Sequence, residues 1–320
     1  MYFYKLILLE ADESAQGLFK ALQGAWNEEK HDLIGYLRNN LIGYASDGAA
    51  VMLGKNNGLG QVLNSWTTED IYTVHCMAHR LHLAIRKGFK SVPYYKKFEH
   101  LVNEIHNFYF RHGHKRKAHL RELASVLNEH LYQLSYIFEV RWISSEFAAL
   151  KRLNDSWHLL VLDLDSISMD SSFSESTRAQ AKGLSRELKD KFFLLILEFT
   201  LDMLKNLSYW SKRLQQRAGI LIGAEEYKEQ MLASIEELAT VSGSYLSFFL
   251  RSVTCSATVR RPCSLNEYTD SDTVLWQRIE LLSNARSPPN LVSFRRKFVD
   301  ELKYELNKYC LLYTSDAADD

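Results

Sequence analysis

Cysteine is scarce in this 320-residue sequence, with only Cys76, Cys255, Cys263 and Cys310 present. Four scattered thiols cannot form the disulfide scaffold of a small secreted domain, so a reducing compartment is the expectation. Long apolar runs are also missing. The stretch 192–197 falls far short of the roughly 20 residues that a bilayer-spanning helix needs, and Lys191 and Glu198 bracket it. No membrane partner is expected. The apolar opening 1–9 lacks the basic leader and small-residue cleavage pattern of a secretory signal. Net charge is absent too, since Lys+Arg and Asp+Glu both total 39. No internal period appears, which argues against a solenoid.

The chain is 46% hydrophobic and 24% charged, a composition that buries a core and does not suit disorder. Its length suits one large domain or two ordinary ones. Residues 6–10 read as a short buried strand. Asp12 or Ser14 is placed to cap a helix over 15–26, with Leu18, Phe19, Leu22 and Trp26 along one face. A second helix is expected over 32–39, a buried strand over 41–45 and a short helix over 60–66. A third strand at 71–75 runs directly into a helix from 77 to about 87. Strands alternating with helices argue for an α/β layer with partly parallel strands. Beyond Pro93 the pattern is nearly all helical over 94–160 and 178–250, with stripes such as Phe192, Phe193, Ile196, Phe199 and Met203. The Ser-rich stretch 166–177 reads as a loop, Ser287-Pro288-Pro289-Asn290 as a breaker, and 292–308 as a last helix. The final stretch 311–320 departs from the Lys/Glu/Leu pattern before it and reads as a non-native tail.

Charge is localised although it cancels overall. Residues 80–121 hold eleven Lys and Arg before one counts only two acids, Glu99 and Glu104, a local charge of +9. Arg86 belongs to this segment. Lys and Arg neutralise phosphates and aromatics stack on bases, but most aromatics here, such as Phe89, Phe98 and Phe108, fall at helical spacing and are expected in the core. Arg111, Lys115, Arg116 and Lys117 are the phosphate-contact candidates, because 111–117 looks compact and loop-like. The alternative is a solvated basic loop.

Asp47 follows an expected strand and precedes Gly48. Side chains at the carboxyl ends of strands emerge into the crevice where α/β proteins place their chemistry. A carboxylate there can hold Mg²⁺, and two such ions held by several carboxylates can drive phosphoryl transfer. One Asp cannot do this alone, and the alternative for Asp47 is a turn cap. Cys76 and His79 have ligand-like C-x₂-H spacing. A structural zinc site needs four ligands, usually as two pairs, and no second usable pair appears, since Cys255 and Cys263 are separated by seven intervening residues. No zinc is expected. Cys76 and His79 instead open a helix and hydrogen-bond the strand ends beside Asp47. Arg141-Trp142 is an ordinary pair taken alone. Glu146, Asp163 and Asp165 are further carboxylates, and the Leu-alternating Asp163 and Asp165 are expected at the surface.

The ordered set LIGYASDGAAVMLG at 41–54, HCMAHRLHLA at 75–84 and RWIS at 141–144 resembles the hAT superfamily of transposases. The resemblance is good over about 5–150 and weaker over 150–305. It implies an α/β fold with a partial RNase H-like core (strand-helix-strand-helix-strand-helix) over 1–145, a large all-helical insertion over 146–305, and a tail over 306–320. It also implies a catalytic Asp-Asp-Glu triad binding Mg²⁺ or Mn²⁺. Asp47 matches the second Asp, as catalytic group and metal ligand. Cys76 and His79 match the supporting pair beside the active site. Trp142, with Arg141, matches the Trp that handles a flipped base. The first Asp and the Glu have no counterpart in this chain, so strand cleavage is expected only where a complete protein supplies them. The implied setting is the nucleus, with DNA as partner and homo-oligomerisation through a further C-terminal segment. The alternatives are a non-catalytic domesticated DNA-binding or interaction module, or part of a relative labelled a SUMO ligase.

Overall fold

A serine hydroxyl starts the first helix. Ser14 Oγ accepts from Gly17 N at 3.1 Å and caps α1 (Ala15–Asn27), while Asp12 Oδ1 accepts from Ser14 N at 3.0 Å. Such caps satisfy amides that have no partner inside the helix. The computed structural model describes residues 5–9, 12–29, 31–111, 113–135, 143–215, 224–255, 274–283 and 290–310. Asp32 caps α2 (Leu33–Asn40) in the same way, accepting from Gly35 N at 2.8 Å. Then follow β1 (Gly43–Ser46), α3 (Ala50–Leu53), α4 (Leu59–Trp66), β2 (Tyr72–His75) and α5 (Met77–Ser91).

β1 and β2 pair in parallel, with Gly43 opposite Tyr72 and Ser46 opposite His75. α3 and α4 make the crossover that a parallel pair requires. The anchor below is aromatic. Phe19, Trp26, Leu59, Leu63 and Ile71 are buried together, with Trp26 stacked on Trp66 at 5.5 Å between centroids and Phe19 edge-on to Trp66 at 5.5 Å. Leu18 and Leu22 pack against this cluster, so the whole 18/19/22/26 stripe faces inward. Each fully buried large apolar side chain contributes about 1.5–3 kcal/mol.

Two strand expectations are corrected here. Residues 5–9 form no strand with any described residue, and Leu6 and Leu8 are exposed. An apolar run becomes a strand only when neighbouring backbone takes up its N–H and C=O groups. The strands β1 and β2 are also not buried. Residues alternate between exposed and half-buried along β1, because a two-stranded sheet with the aromatic cluster on one side leaves its other face open.

The chain continues helical. The elements are α6 (Pro93–Phe110), α7 (His114–Leu127), α8 (Ile143–Asp155), α9 (Trp157–Met169), α10 (Glu175–Leu188), α11 (Lys191–Gln215), α12 (Ala224–Thr240) and α13 (Ser244–Ser252). Then come β3 (Thr254–Cys255), β4 (Val274–Trp276), β5 (Ile279–Leu281) and α14 (Leu291–Cys310). Among the described residues the fold is α-rich with two small sheets. Packing separates two compact units, one of 1–84, 214–222 and 306–320, the other of 85–213 and 223–305. The division falls inside α5. Among the described residues no helix is long and apolar enough to cross a membrane.

The second unit has a dense core. Trp157 is fully buried, and its indole N–H donates to Leu188 O at 2.9 Å. Phe89, Tyr95, Phe98, Phe199 and Phe298 are buried with it, with Phe89 and Phe298 at 4.7 Å. The Ser-rich loop is shorter than expected, since α9 runs through Met169 and α10 starts at Glu175, leaving 170–174.

The region 146–305 is not all helical. β3, β4 and β5 form an antiparallel sheet, and Trp276 from β4 packs on Trp157 at 4.4 Å and on Phe249 at 5.1 Å. The β4–β5 hairpin turns through Gln277 and Arg278, both at positive φ (48° and 67°). A two-residue turn with both central residues left-handed is normally written Asn-Gly or Asp-Gly. Gln-Arg carries no such signal, so the hairpin was hidden in the sequence.

Candidate active-site edge and basic helix

Asp47 is the first residue after β1, and Cys76 the first after β2. Parallel pairing in register brings the two positions together, and Cys76 N donates to Ser46 O at 2.7 Å to extend the ladder past the strand ends. Asp47 is exposed, and its Oδ1 accepts from Ala49 N at 3.2 Å. The carboxylate thus belongs to the open carboxyl edge of the sheet while it steadies the turn into α3.

The side chain against this turn is His75. A Cβ on Gly48 would lie 2.5 Å from His75 Cε1 and 2.8 Å from Nε2, so only glycine lets the imidazole pack there. Burial lowers the basicity of His75, His79 and Arg80 lower it further, and Asp47 opposes them. His75 is therefore neutral at neutral pH. Its Nε2 is buried without a hydrogen-bond partner among the described residues. His79 follows one turn into α5, with its ring 5.4 Å from that of His75. Tyr44 stands near the same edge. Burial raises its pKa, the Ser46 bond lowers it, and Asp47 raises it. Sequence reading centred on Cys76 and His79. His75 was inside the same motif, but only the Ser46–His75 register reveals that it meets the Asp47 turn.

A divalent-ion site needs several oxygen ligands. Among the described residues no group of three His, Cys, Asp or Glu side chains gathers to hold a metal.

Residues 114–117 are helical, not a loop. Arg111 ends α6, and Lys115, Arg116 and Lys117 lie in the first turn of α7. Gly113 provides no side-chain cap, and no acid occupies that turn. Free amides and the positive end of the helix dipole sit among the cations, which costs stability unless anions approach. The cations rest on aromatic rings. Lys115 is 4.2 Å from the Phe173 centroid, Arg116 is 4.6 Å from Phe108, and Lys117 is 4.6 Å from Phe110. The ring faces offset part of the repulsion. None of the four basic candidates has an ion pair within 4 Å among the described residues. Arg111 and Lys115 are exposed, and Arg116 and Lys117 half-buried.

Arg86 is a different case. It is buried, with Nη2 2.8 Å from Glu99 Oε1 and Nη1 3.4 Å from both carboxylate oxygens of Glu146. Tyr95 OH donates to Glu146 Oε1 at 2.6 Å. This cation joins α5, α6 and α8 and is spent on the core. Asp163 is corrected in the same sense. It is fully buried, accepting from Tyr109 OH at 2.8 Å on Oδ2, with His119 Nδ1 2.6 Å from Oδ1. Asp165 is half-buried and pairs with Lys189 at 2.6 Å. Arg141 and Trp142, and the stretch 311–320, lie outside the described residues. No family model and no solved structure matches the chain.

Proposed function

We propose that this chain is a DNA-binding protein of hAT transposase type or descent, built around part of an RNase H-like core. One observation carries the reading: two parallel strands, joined by a helical crossover, deliver Asp47 and Cys76 side by side at their carboxyl ends. His75 and His79 stand next to them. That arrangement agrees with the residue order that resembles the family, and a sheet edge of this kind is where α/β proteins hold ligands.

The DNA contact is assigned to Arg111, Lys115, Arg116 and Lys117. A helix start that is uncapped, dipole-positive and rich in cations favours phosphate oxygens. Arg141 and Trp142 are assigned to the same role by resemblance. Metal-dependent cleavage requires carboxylates that the described residues do not gather.

A salt titration tests the reading. The chain should bind duplex DNA with log affinity falling linearly in log salt concentration, by about 0.9 per phosphate neutralised. The combined variant Lys115→Glu, Arg116→Glu, Lys117→Glu should bind at least about tenfold more weakly at low salt, with a shallower slope. Affinity that ignores salt, or a variant that binds as well as the parent, would overturn the assignment.

A further inference from the structure

Ser172 lies in the exposed 170–174 connection between α9 and α10, which buried Phe173 pins to the unit. Its Oγ donates to Asp170 Oδ2 at 2.7 Å and accepts from Lys115 Nζ at 3.1 Å. The same ammonium donates to Ser172 O at 2.6 Å and rests over the Phe173 ring. A cation is thus already held against an exposed hydroxyl. Acids flank this serine, with Asp170 two residues before it and Glu175 three after. The neighbouring Ser174 is occupied otherwise, since its Oγ caps α10 by accepting from Thr177 N at 3.3 Å.

We propose that Ser172 is a phosphorylation site for an acidophilic protein kinase, and that Lys115 captures the phosphate and is withdrawn from DNA. The second half rests on the DNA-binding reading above. In the transfer, Ser172 Oγ bonds to the terminal phosphorus of a nucleoside triphosphate. The bond from that phosphorus to the bridging oxygen breaks, the nucleoside diphosphate leaves, and the hydroxyl proton passes to the kinase's base. The phosphate brings about −1.5 to −2 charges and three strong acceptor oxygens. It gives up the Asp170 contact, which becomes repulsive, and gains a charge-assisted bond to Lys115. The first turn of α7 loses one available cation and acquires an adjacent anion.

Three measurements decide this. The folded chain is incubated with casein kinase II and ATP and mapped by mass spectrometry. Phosphate on Ser172 is expected, and phosphate confined to other serines of 171–177 overturns the site. Phosphoserine is then incorporated at 172 in the parent and in Lys115→Met, and both are titrated by phosphorus NMR. The second phosphate pKa should be about half a unit lower with Lys115 present, and equal values overturn the capture. Finally, DNA affinity of the phosphorylated chain is compared with that of the unmodified chain and of Ser172→Ala. A drop of about tenfold is expected only on phosphorylation, and equal affinities overturn the regulation. If the unmodified chain fails to bind DNA at all, the DNA-binding reading fails with it, while the NMR result still decides the capture by Lys115.

Discussion

Asp47 in the first compact unit and Glu146 and Asp163 in the second have opposite fates. In the first, Asp47 stands exposed at the edge of a thin sheet, held by one backbone amide. In the second, Glu146 and Asp163 are buried, each with both carboxylate oxygens engaged by a phenol and a cation or imidazole. A buried charge persists only when paired and hydrogen-bonded. Partners that complete a carboxylate also remove it from chemistry. Accessibility, and not acidity alone, marks Asp47 as the candidate for function and the other two as parts of the core.

That contrast is sharpest in stability. Glu146→Ala leaves Arg86 buried with Glu99 as its remaining acid and Tyr95 OH without its acceptor. It should cost about 3–5 kcal/mol in urea unfolding, whereas Asp47→Ala should change stability by no more than about 0.5 kcal/mol. Equal costs would erase the distinction. Asp163→Ala follows, at about 2–3 kcal/mol, because the buried Tyr109 hydroxyl and the half-buried His119 ring lose their partner. A loss below about 1 kcal/mol would place Asp163 among the surface acids after all.

Glu198 extends the comparison to pH. Burial pushes its pKa up to about 8, with Asp202 and Asp155 adding to the shift and a bond from Asn154 opposing it. The native state keeps this proton in a range where the unfolded chain releases it. Stability contributed by Glu198 is therefore complete below about pH 4.5 and is lost as pH rises towards about 8. Glu198→Gln should flatten that part of the stability–pH curve and gain on the parent at pH 8. Parallel curves for the two proteins would refute the buried neutral acid. The smallest effect concerns the hairpin. Gln277→Asn with Arg278→Gly should stabilise the second unit by about 0.5–1 kcal/mol, because asparagine and glycine accept positive φ at little cost. Destabilisation would mean that the Gln277 and Arg278 side chains contribute contacts of their own.

Local patterns were legible where one element contains all the information. The Leu18, Phe19, Leu22 and Trp26 stripe lies three or four residues apart and the Ser14 cap lies next to its helix, and both form as read. Strand β2 running into α5 was legible for the same reason. The basic residues 115–117 do not read as a helix start, because three consecutive cations without an acidic cap give the opposite of that signal. The hairpin at Gln277-Arg278 was missed because its turn carries neither glycine nor asparagine.

By itself the sequence determined the local helices, the strand–helix junctions that set Asp47 and Cys76 at strand ends, and the concentration of positive charge in 80–121. Tertiary structure alone decided which charges are available. Arg86 meets Glu146 across 60 residues, Tyr109 meets Asp163 across 54, and His75 reaches the Asp47 turn only through strand register. Periodicity reports which face of an element is apolar, but the solvation of a charge depends on what arrives from elsewhere in the chain, and that is settled only when the elements pack.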